Sequence, residues 1–397
     1  MRRLVCATTL LGLALSFSSS GLRATETAGV SDLPNTVAAL LFGRSNVWDG
    51  SYAQWQFWKA AHSLPITLGA HNWFHANQDG PAPSGYGVPG LRGTYFWFVD
   101  LDPRLKLDTR SVDAVGAHVE FRFRESPDKF RSFIKHRYWF YEAYGYVDTP
   151  AVRIKAGQIW KRFGLDWDNS WWGDVQYFDG LKLDTAYGLS WENTWKPAAR
   201  FKVDSFVQYF GQEANVSGSL GGANTQSIAG AHERNLGVIR VVPTWQLSHS
   251  SSIAVGLSGL TGDVHFPPGV APDTTQRAWA ADATYTVGGL SVFAEFDRSF
   301  GVLNPTHYIS GGPSDAVTDT LAGIAYRYGP VTYRFDYSSG RAAHPTGHQH
   351  IWIPGVTIAL SKSTNLYAEY VYWDGKNRLG QHSVLENGYQ LVLNWHI

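Results

Sequence analysis

The sequence predicts an all-β fold, a transmembrane antiparallel β-barrel of about 16 strands with short turns at one end and long loops at the other. Three observations predict it: the composition, an alternation of apolar and polar residues, and an alternation of short and long connections. The 397 residues are 15% aromatic and 17% charged, and the mean hydropathy is −0.21. A membrane barrel combines these values because its apolar residues alternate with polar ones. The single cysteine excludes a disulfide scaffold, and the balance of 33 basic and 33 acidic residues argues against a nucleic-acid partner.

The N-terminus predicts export. Arg2 and Arg3 precede an apolar run over residues 4–17, and small residues follow, so we interpret residues 1–24 as a cleaved signal peptide. A membrane anchor is the alternative, but the run is short for a span. Cleavage removes Cys6 and three arginines, which leaves a formal charge of −3. A chain without cysteine suits an oxidising periplasmic route.

Alternation with a period of two predicts the strands of the barrel, which we assign to residues 63–397. Leu189 and Trp191, for example, share one face, and Ser190 and Glu192 share the other. A soluble β-sandwich also alternates, but most of the candidate strands approach the ~9–11 residues that a tilted strand needs to cross a bilayer. The 16 candidates lie near 66–75, 92–101, 114–124, 136–148, 151–160, 181–192, 199–210, 236–245, 250–260, 278–286, 290–297, 319–328, 330–338, 351–360, 365–374 and 384–397.

The connections between these strands alternate in length. Short turns such as 148–150 and 329–330 follow the even-numbered strands, and long loops such as 161–180 follow the odd-numbered ones. Outer-membrane barrels have this asymmetry, with short periplasmic turns and long extracellular loops, whereas a sandwich does not require it. The register stays open near 92–101 and 136–148, where both faces are aromatic. Residues 25–62 precede the barrel, and we interpret them as a periplasmic or lumen-inserted helix, or as a tether.

The last predicted strand carries apolar residues at every second position. They are Tyr389, Leu391, Leu393, Trp395 and Ile397. This pattern is similar to the terminal signal that the barrel-assembly machinery reads in bacterial outer-membrane proteins, although that signal usually ends in Phe or Trp. With the signal peptide, the strands and the size, the chain resembles the Gram-negative general-diffusion porins. The resemblance implies insertion in the lipid of the cell outer membrane by that machinery, a homotrimer, and small hydrophilic solutes as cargo.

Charged residues on the predicted strands indicate a water-filled lumen. Arg or Lys facing lipid at the bilayer midplane costs about 2–4 kcal/mol, so we expect the charges to turn inward. A barrel of about sixteen strands is wide enough for water, whereas about eight strands enclose little more than side chains. The mixed signs leave the preference for cations or anions open. The predicted pore-lining residues are Glu120, Arg122, Arg124, Lys182, Asp184, Asp204, Glu295, Arg334 and Asp336.

Residues 161–180 form the third long loop. In the porins that the chain resembles, the third loop folds into the lumen and sets acidic residues opposite basic ones, so the resemblance implies a constriction here. A loop that lies outward at the rim is the alternative. The constriction residues would be Asp166, Asp168, Asp174 and Asp179 from the loop, with Arg153, Lys155, Arg200 and Lys202 from the flanking strands.

Catalytic and metal-binding motifs give little. The sequence contains no Gly-x-Ser-x-Gly and no His-Glu-x-x-His motif. His344, His348 and His350 cluster, but without a nearby Cys or carboxylate we interpret them as part of a solvated loop. We therefore predict a passive channel with no cofactor, no metal and no enzyme activity. The alternatives are a channel selective for sugars or hydrophobic compounds and gated by residues 25–62, and a barrel enzyme with a Ser/His/Asn or paired-Asp site at its rim.

Overall fold

The computed structural model describes residues 66–77, 90–101, 104–107, 111–125, 138–165, 185–213, 232–266, 268–269, 272–301, 316–342, 347–361, 364–376 and 382–396. The predicted signal peptide and the predicted N-terminal segment lie outside this part of the chain. Within it, no helix has the length and apolar character that crossing a membrane requires.

The described residues form one antiparallel sheet of 17 strands. β1 pairs with β2 along one edge and with β17 along the other, so the sheet closes on itself. This closure confirms the predicted barrel and contradicts the β-sandwich. The strands are β1 (Ile66–Asn77), β2 (Gly90–Leu101), β3 (Arg104–Lys106), β4 (Ala114–Glu125), β5 (Tyr138–Asp148), β6 (Val152–Trp160), β7 (Thr185–Ala198), β8 (Phe201–Glu213), β9 (His232–Ser248), β10 (Ser251–His265), β11 (Thr274–Val287), β12 (Leu290–Phe300), β13 (Ala316–Tyr328), β14 (Val331–Ala342), β15 (His348–Ser361), β16 (Thr364–Lys376) and β17 (His382–His396).

Two of these strands share one position in the barrel. β2 pairs with β4 up to Leu101 opposite Val119, and β3 continues along the same strand from Arg104 opposite Gly116. β2 and β3 are therefore one interrupted strand, and the described barrel has the 16 positions that the sequence predicts. β3 lies between two of the predicted strands, 92–101 and 114–124, and was not itself predicted.

The observed bounds differ from the predicted ones mainly at the long-loop end. β9 begins at His232 and β10 ends at His265, several residues beyond the predicted limits. The strand predicted over 181–192 is described over Thr185–Ala198 and extends beyond its predicted C-terminal limit. The described short turns, 149–151, 199–200, 249–250, 288–289 and 329–330, all lie at the opposite end, as predicted.

A bulge settles the register where the aromatic segment near 136–148 left it open. The β4–β5 pairing is irregular between Glu120 and Phe121, so that Glu120 faces Glu142 and Phe121 faces Phe140. Phe140 is exposed on the outer surface, and Tyr141 and Glu142 are buried. A bulge re-aims a side chain in this way because one strand carries an extra residue.

The two faces of the sheet differ in polarity as the alternation predicts. On β7, Leu189 and Trp191 are exposed, and Ser190 and Glu192 are buried. Because buried positions include many charged residues, the buried face is the inner wall, and the exposed apolar face is the one that suits lipid. Large apolar side chains on the outer face include Phe140, Ile154, Tyr187, Val207, Tyr209, Ile239, Leu257, Trp279, Tyr333, Trp352 and Leu391.

Candidate functional site: the inner wall

The inner wall is rich in buried carboxylates. Among the described residues, thirteen buried carboxylates accompany five buried Lys and Arg side chains, so this part of the wall carries an excess of negative charge. The carboxylates belong to Glu120, Glu142, Asp148, Glu192, Asp204, Glu213, Glu233, Asp282, Glu295, Asp297, Asp319, Asp336 and Glu369, and the basic residues are Lys155, Lys161, Arg162, Arg240 and Arg334.

Ion pairs join the strands of this wall. Lys155 on β6 lies 3.0 Å from the carboxylate of Glu192 on β7. Arg240 on β9 donates two hydrogen bonds to Asp282 on β11, at 2.6 and 3.1 Å, and a third to the hydroxyl of Ser258 at 2.9 Å. Such a two-pronged contact fixes the geometry of both partners as well as their charge.

Two of the ion pairs pass over an intervening strand. Arg334 on β14 reaches Glu369 on β16 at 2.5 Å and crosses β15, just as the pair of Arg240 crosses β10. The crossed positions are glycines. A Cβ at Gly256 would lie 2.3 Å from the carboxylate of Asp282, and a Cβ at Gly355 would lie 3.0 Å from Glu369. The missing side chains leave the space in which each pair crosses.

Residues 161–165, which follow β6 and which we name the inward segment, run inside the barrel. Three of its backbone N–H groups donate to side chains of the inner wall. These hydrogen bonds join Arg162 to Gln208 at 2.7 Å, Gly164 to Ser258 at 3.0 Å, and Leu165 to Glu295. The acceptors stand on β8, β10 and β12, so the segment spans a wide part of the barrel.

An ion pair anchors the start of the inward segment. The ammonium group of Lys161 lies 2.6 Å from one carboxylate oxygen of Glu233 on β9, and the amide of Gln276 on β11 donates to the other oxygen at 2.7 Å. Both partners of this ion pair are nearly fully buried. Breaking one partner would therefore leave an uncompensated buried charge.

Apolar contacts hold the rest of the inward segment. Phe163 belongs to a buried cluster with inner-wall residues of β5 to β11, which include Phe210 and Leu260. Leu165 forms a second cluster with Phe293 and Leu321, on β12 and β13. The inner wall is thus apolar where Phe163 and Leu165 pack against it.

The inward segment cuts across the part of the lumen that β8 to β12 enclose. From its contact on β8 to its contact on β12, the wall measures about 19 Å at ~4.8 Å per strand. Three residues extend at most about 11 Å, so the segment stands away from the wall and the wall side chains reach inward to it. Gly164 permits the path, because its φ is +66° and a Cβ there would lie 2.5 Å from the carboxylate of Glu295.

The predicted constriction residues have different positions. Lys155 lies on the inner wall, but Arg153 lies beside the turn that follows β5 and binds Asp148 at 2.5 Å. Arg200 is exposed in the turn between β7 and β8 and does not lie on a flanking strand. Lys202 begins the next strand beside that turn and pairs with Asp204. The loop acids Asp166, Asp168, Asp174 and Asp179 lie outside the described residues.

The predicted pore-lining residues are described in part. Glu120, Asp204, Glu295, Arg334 and Asp336 are buried on the inner wall. Lys182, Asp184 and the side chains of Arg122 and Arg124 lie outside the described part. Sequence reasoning missed Glu142, Asp319 and Glu369, although the same alternation would identify them. It also missed Lys161 and Arg162, for which a predicted loop offers no periodicity.

Two further sequence features have clear positions. Tyr389 and Leu391 of the predicted assembly signal are exposed on the outer surface and Leu393 is half-buried, whereas the side chain of Trp395 and Ile397 are not described. His348 and His350 lie on β15 rather than in a loop, and a ring nitrogen of His350 lies 2.8 Å from the hydroxyl of Tyr337. His344 lies outside the described residues.

One titratable group stands out at the long-loop end, beyond the strands. The carboxylate of Asp273 accepts a hydrogen bond from the backbone N–H of Phe266 at 2.9 Å and contacts the ring of His265 at 2.8 Å. Both contacts hold the pKa of Asp273 below its usual range, and the hydrogen bond from Phe266 has the larger effect.

Comparisons with known proteins agree with this architecture. A family model described as Gram-negative porin matches residues 137–378. The chain is similar to the outer-membrane channel DcaP of Acinetobacter baumannii (TM-score 0.57, 14% identity, 84% of this chain and 95% of that one). It is also similar to OmpF of Salmonella typhi in complex with daunomycin (0.58, 10%, 84% and 97%) and to the trimer form of OmpT, an outer-membrane protein of Vibrio cholerae (0.54, 12%, 84% and 99%). At these identities the likeness concerns the fold alone. No curated protein matches the chain by sequence.

Proposed function

The chain belongs to the Gram-negative porin family and forms a diffusion channel in the outer membrane, and we propose that the inward segment sets the narrowest part of that channel. The proposed cargo is small hydrophilic solutes and ions, which cross passively. The observation that carries the proposal is the set of backbone hydrogen bonds from the inward segment to Gln208, Ser258 and Glu295, on three separate strands. A segment held by side chains of three strands cannot leave the inner wall unless these contacts break.

We further propose that the channel prefers cations. Carboxylates outnumber Lys and Arg on the described inner wall, and four of the five basic groups are neutralised by ion pairs with wall carboxylates. Fixed negative charge along a narrow, water-filled passage with low-dielectric walls raises the local concentration of cations and lowers that of anions. The acids Asp166, Asp168, Asp174 and Asp179 are proposed to add to this charge at the constriction, and the basic groups Arg153 and Lys202 to contribute little.

The proposal includes no catalytic step and no cofactor, in agreement with the family. The trimer form of OmpT from Vibrio cholerae supports a homotrimer as the assembled state. Insertion by the barrel-assembly machinery through the C-terminal residues remains part of the proposal. Purified protein that turned over lipid or peptide would contradict it and favour the barrel enzyme.

A salt-gradient experiment tests the proposed selectivity. The full exported chain is reconstituted in a planar bilayer, and the reversal potential is measured before and after the combined change of Asp166, Asp168 and Asp174 to Asn. We expect ohmic channels, a reversal potential of the cation-selective sign, and a shift toward zero in the variant. Protein that never raises conductance would refute the channel, and an anion-selective sign would refute the cation preference.

A second candidate function is favoured by one observation. The inner wall of β15 and β16 carries buried apolar side chains, Ile351, Ile353, Val371 and Trp373, which a channel for hydrophilic solutes does not need. A channel selective for sugars or hydrophobic compounds, gated by residues 25–62, would use such a surface. Deletion of residues 25–62 should then raise the conductance sharply, and an unchanged conductance would reject the gate.

A further inference from the structure

We propose that His118, Glu120 and Glu142 bind one divalent transition-metal ion, such as Zn²⁺, on the inner wall between β4 and β5. Each of the three offers one ligand atom, and these atoms lie within 4.8 Å of one another. All three side chains are fully buried. The site is independent of the proposed cargo and of the inward segment.

Strand pairing brings the three ligands together. Glu120 on β4 stands directly opposite Glu142 on β5, and His118 stands opposite Tyr144. The bulge that follows Glu120 fixes this pairing. Two carboxylates directly opposite each other repel, and burial makes their charge costlier still. A divalent cation between them would offset both costs.

Glu142 is oriented toward the site by its own hydrogen bond. The backbone N–H of Trp160 on β6 donates to one carboxylate oxygen, Oε1, at 3.3 Å. The other oxygen, Oε2, lies 3.6 Å from Nε2 of His118 and accepts no hydrogen bond from the described residues. With metal–ligand bonds of about 2.1 Å, two ligands of a tetrahedral Zn²⁺ ion lie about 3.4 Å apart. The observed separation is therefore close to that of a ligand pair.

The donor set indicates the class of metal. One imidazole nitrogen and two carboxylates suit Zn²⁺ and neighbouring transition metals, whereas Ca²⁺ and Mg²⁺ prefer shells made of oxygen alone. Three protein ligands leave one position of a tetrahedral ion for a further donor. The ring of Tyr144, with its centre 5.0 Å from that of His118, packs beside the imidazole and restricts its rotation.

Metal binding to the folded chain in detergent micelles tests the site. Equilibrium dialysis against Zn²⁺ should give one tightly bound ion per chain, and His118→Ala and Glu142→Gln should each weaken this binding by at least tenfold. The matched controls are His265→Ala and His350→Ala, which remove other histidines that lie beside a carboxylate or another imidazole. We expect both controls to bind like the unchanged chain.

A second measurement needs no variant. Co²⁺ should give visible d–d absorption bands on the unchanged chain, and one equivalent of Zn²⁺ should abolish them. The proposal would be overturned if the folded chain bound no Zn²⁺, because the contact between His118 and Glu142 would then be an ion pair and not part of a metal site. It would also be overturned if folded His118→Ala protein bound Zn²⁺ as well as before, or if His265→Ala or His350→Ala removed the binding.

Discussion

Releasing the inward segment should widen the channel. The double change Phe163→Ala and Leu165→Ala removes both apolar anchors and leaves the backbone hydrogen bonds chemically possible. Phe163 and Leu165 belong to separate buried clusters, so their effects should add. Truncation of a buried Phe costs about 3–5 kcal/mol, and truncation of a buried Leu about 2–5 kcal/mol.

These values exceed what the three backbone hydrogen bonds of residues 162–165 retain, while Lys161 at the start of the segment stays held by its ion pair with Glu233. Three hydrogen bonds at about 0.5–1.5 kcal/mol each contribute about 1.5–4.5 kcal/mol, against a loss of about 5–10 kcal/mol. At about 1.4 kcal/mol for each factor of ten, the equilibrium between attached and released segment should shift by about four to seven orders of magnitude. The strand pairing of the barrel is untouched, so the barrel itself should fold as before.

Single-channel conductance in planar bilayers is the assay, together with the size limit for sugars in liposome swelling. We expect both to rise in the double variant. The matched control is Phe140→Ala with Leu257→Ala, which changes the same residue types on the exposed outer face. If the double variant folds and keeps the conductance and size limit of the control, the inward segment does not set the constriction.

A glycine substitution tests the same segment by the opposite means. Gly164→Ala adds a Cβ at a positive φ and presses it against Glu295, whereas Gly269→Ala adds one at a φ of +83° with nothing within 4 Å. Both variants carry the backbone cost of about 1–2 kcal/mol, but the contact with the wall is lost in the first alone. We expect Gly164→Ala to raise the conductance and Gly269→Ala to leave it unchanged; equal conductances would contradict the path of the segment.

Two further predictions concern other contacts. Arg240→Met leaves Asp282 buried without its partner, so the free energy of unfolding in urea from lipid vesicles should fall by about 3–5 kcal/mol, and adding Asp282→Asn should restore part of it; a loss below about 1 kcal/mol would contradict this. The lowered pKa of Asp273 favours its charged form in the folded protein, so its hydrogen bond from the backbone of Phe266 and its contact with His265 stabilise the fold above the usual Asp pKa range. This stabilisation is lost as the pH falls through the lowered pKa. Amide hydrogen exchange near Asp273 should therefore become faster in acid, and Asp273→Asn should abolish this pH dependence. A variant whose exchange accelerates in acid like that of the unchanged chain would contradict the role of Asp273.

The strands, their inner and outer faces and the asymmetry of the two barrel ends could be predicted from the amino-acid sequence. These features are local, because a strand between lipid and water must alternate in polarity residue by residue, and a turn can be recognised from a few consecutive residues. Glu120, Asp204 and Asp336 could therefore be assigned to the inner wall from their neighbours in sequence alone. Arg200 could not be placed in the same way, because one or two residues decide whether a strand end becomes a turn.

Which inner-wall groups contact one another depends on the folded barrel and could not be predicted from the sequence. The inward segment binds residues 46, 94 and 130 positions further along the chain, and Arg240 reaches Asp282 across a glycine on a third strand. No periodicity encodes such contacts, because they arise when the closed sheet brings distant strands around one lumen. The register that a bulge sets between β4 and β5 likewise decides that His118, Glu120 and Glu142 lie close together. The sequence thus predicts which residues form the inner wall, and closure of the barrel decides which of them contact one another.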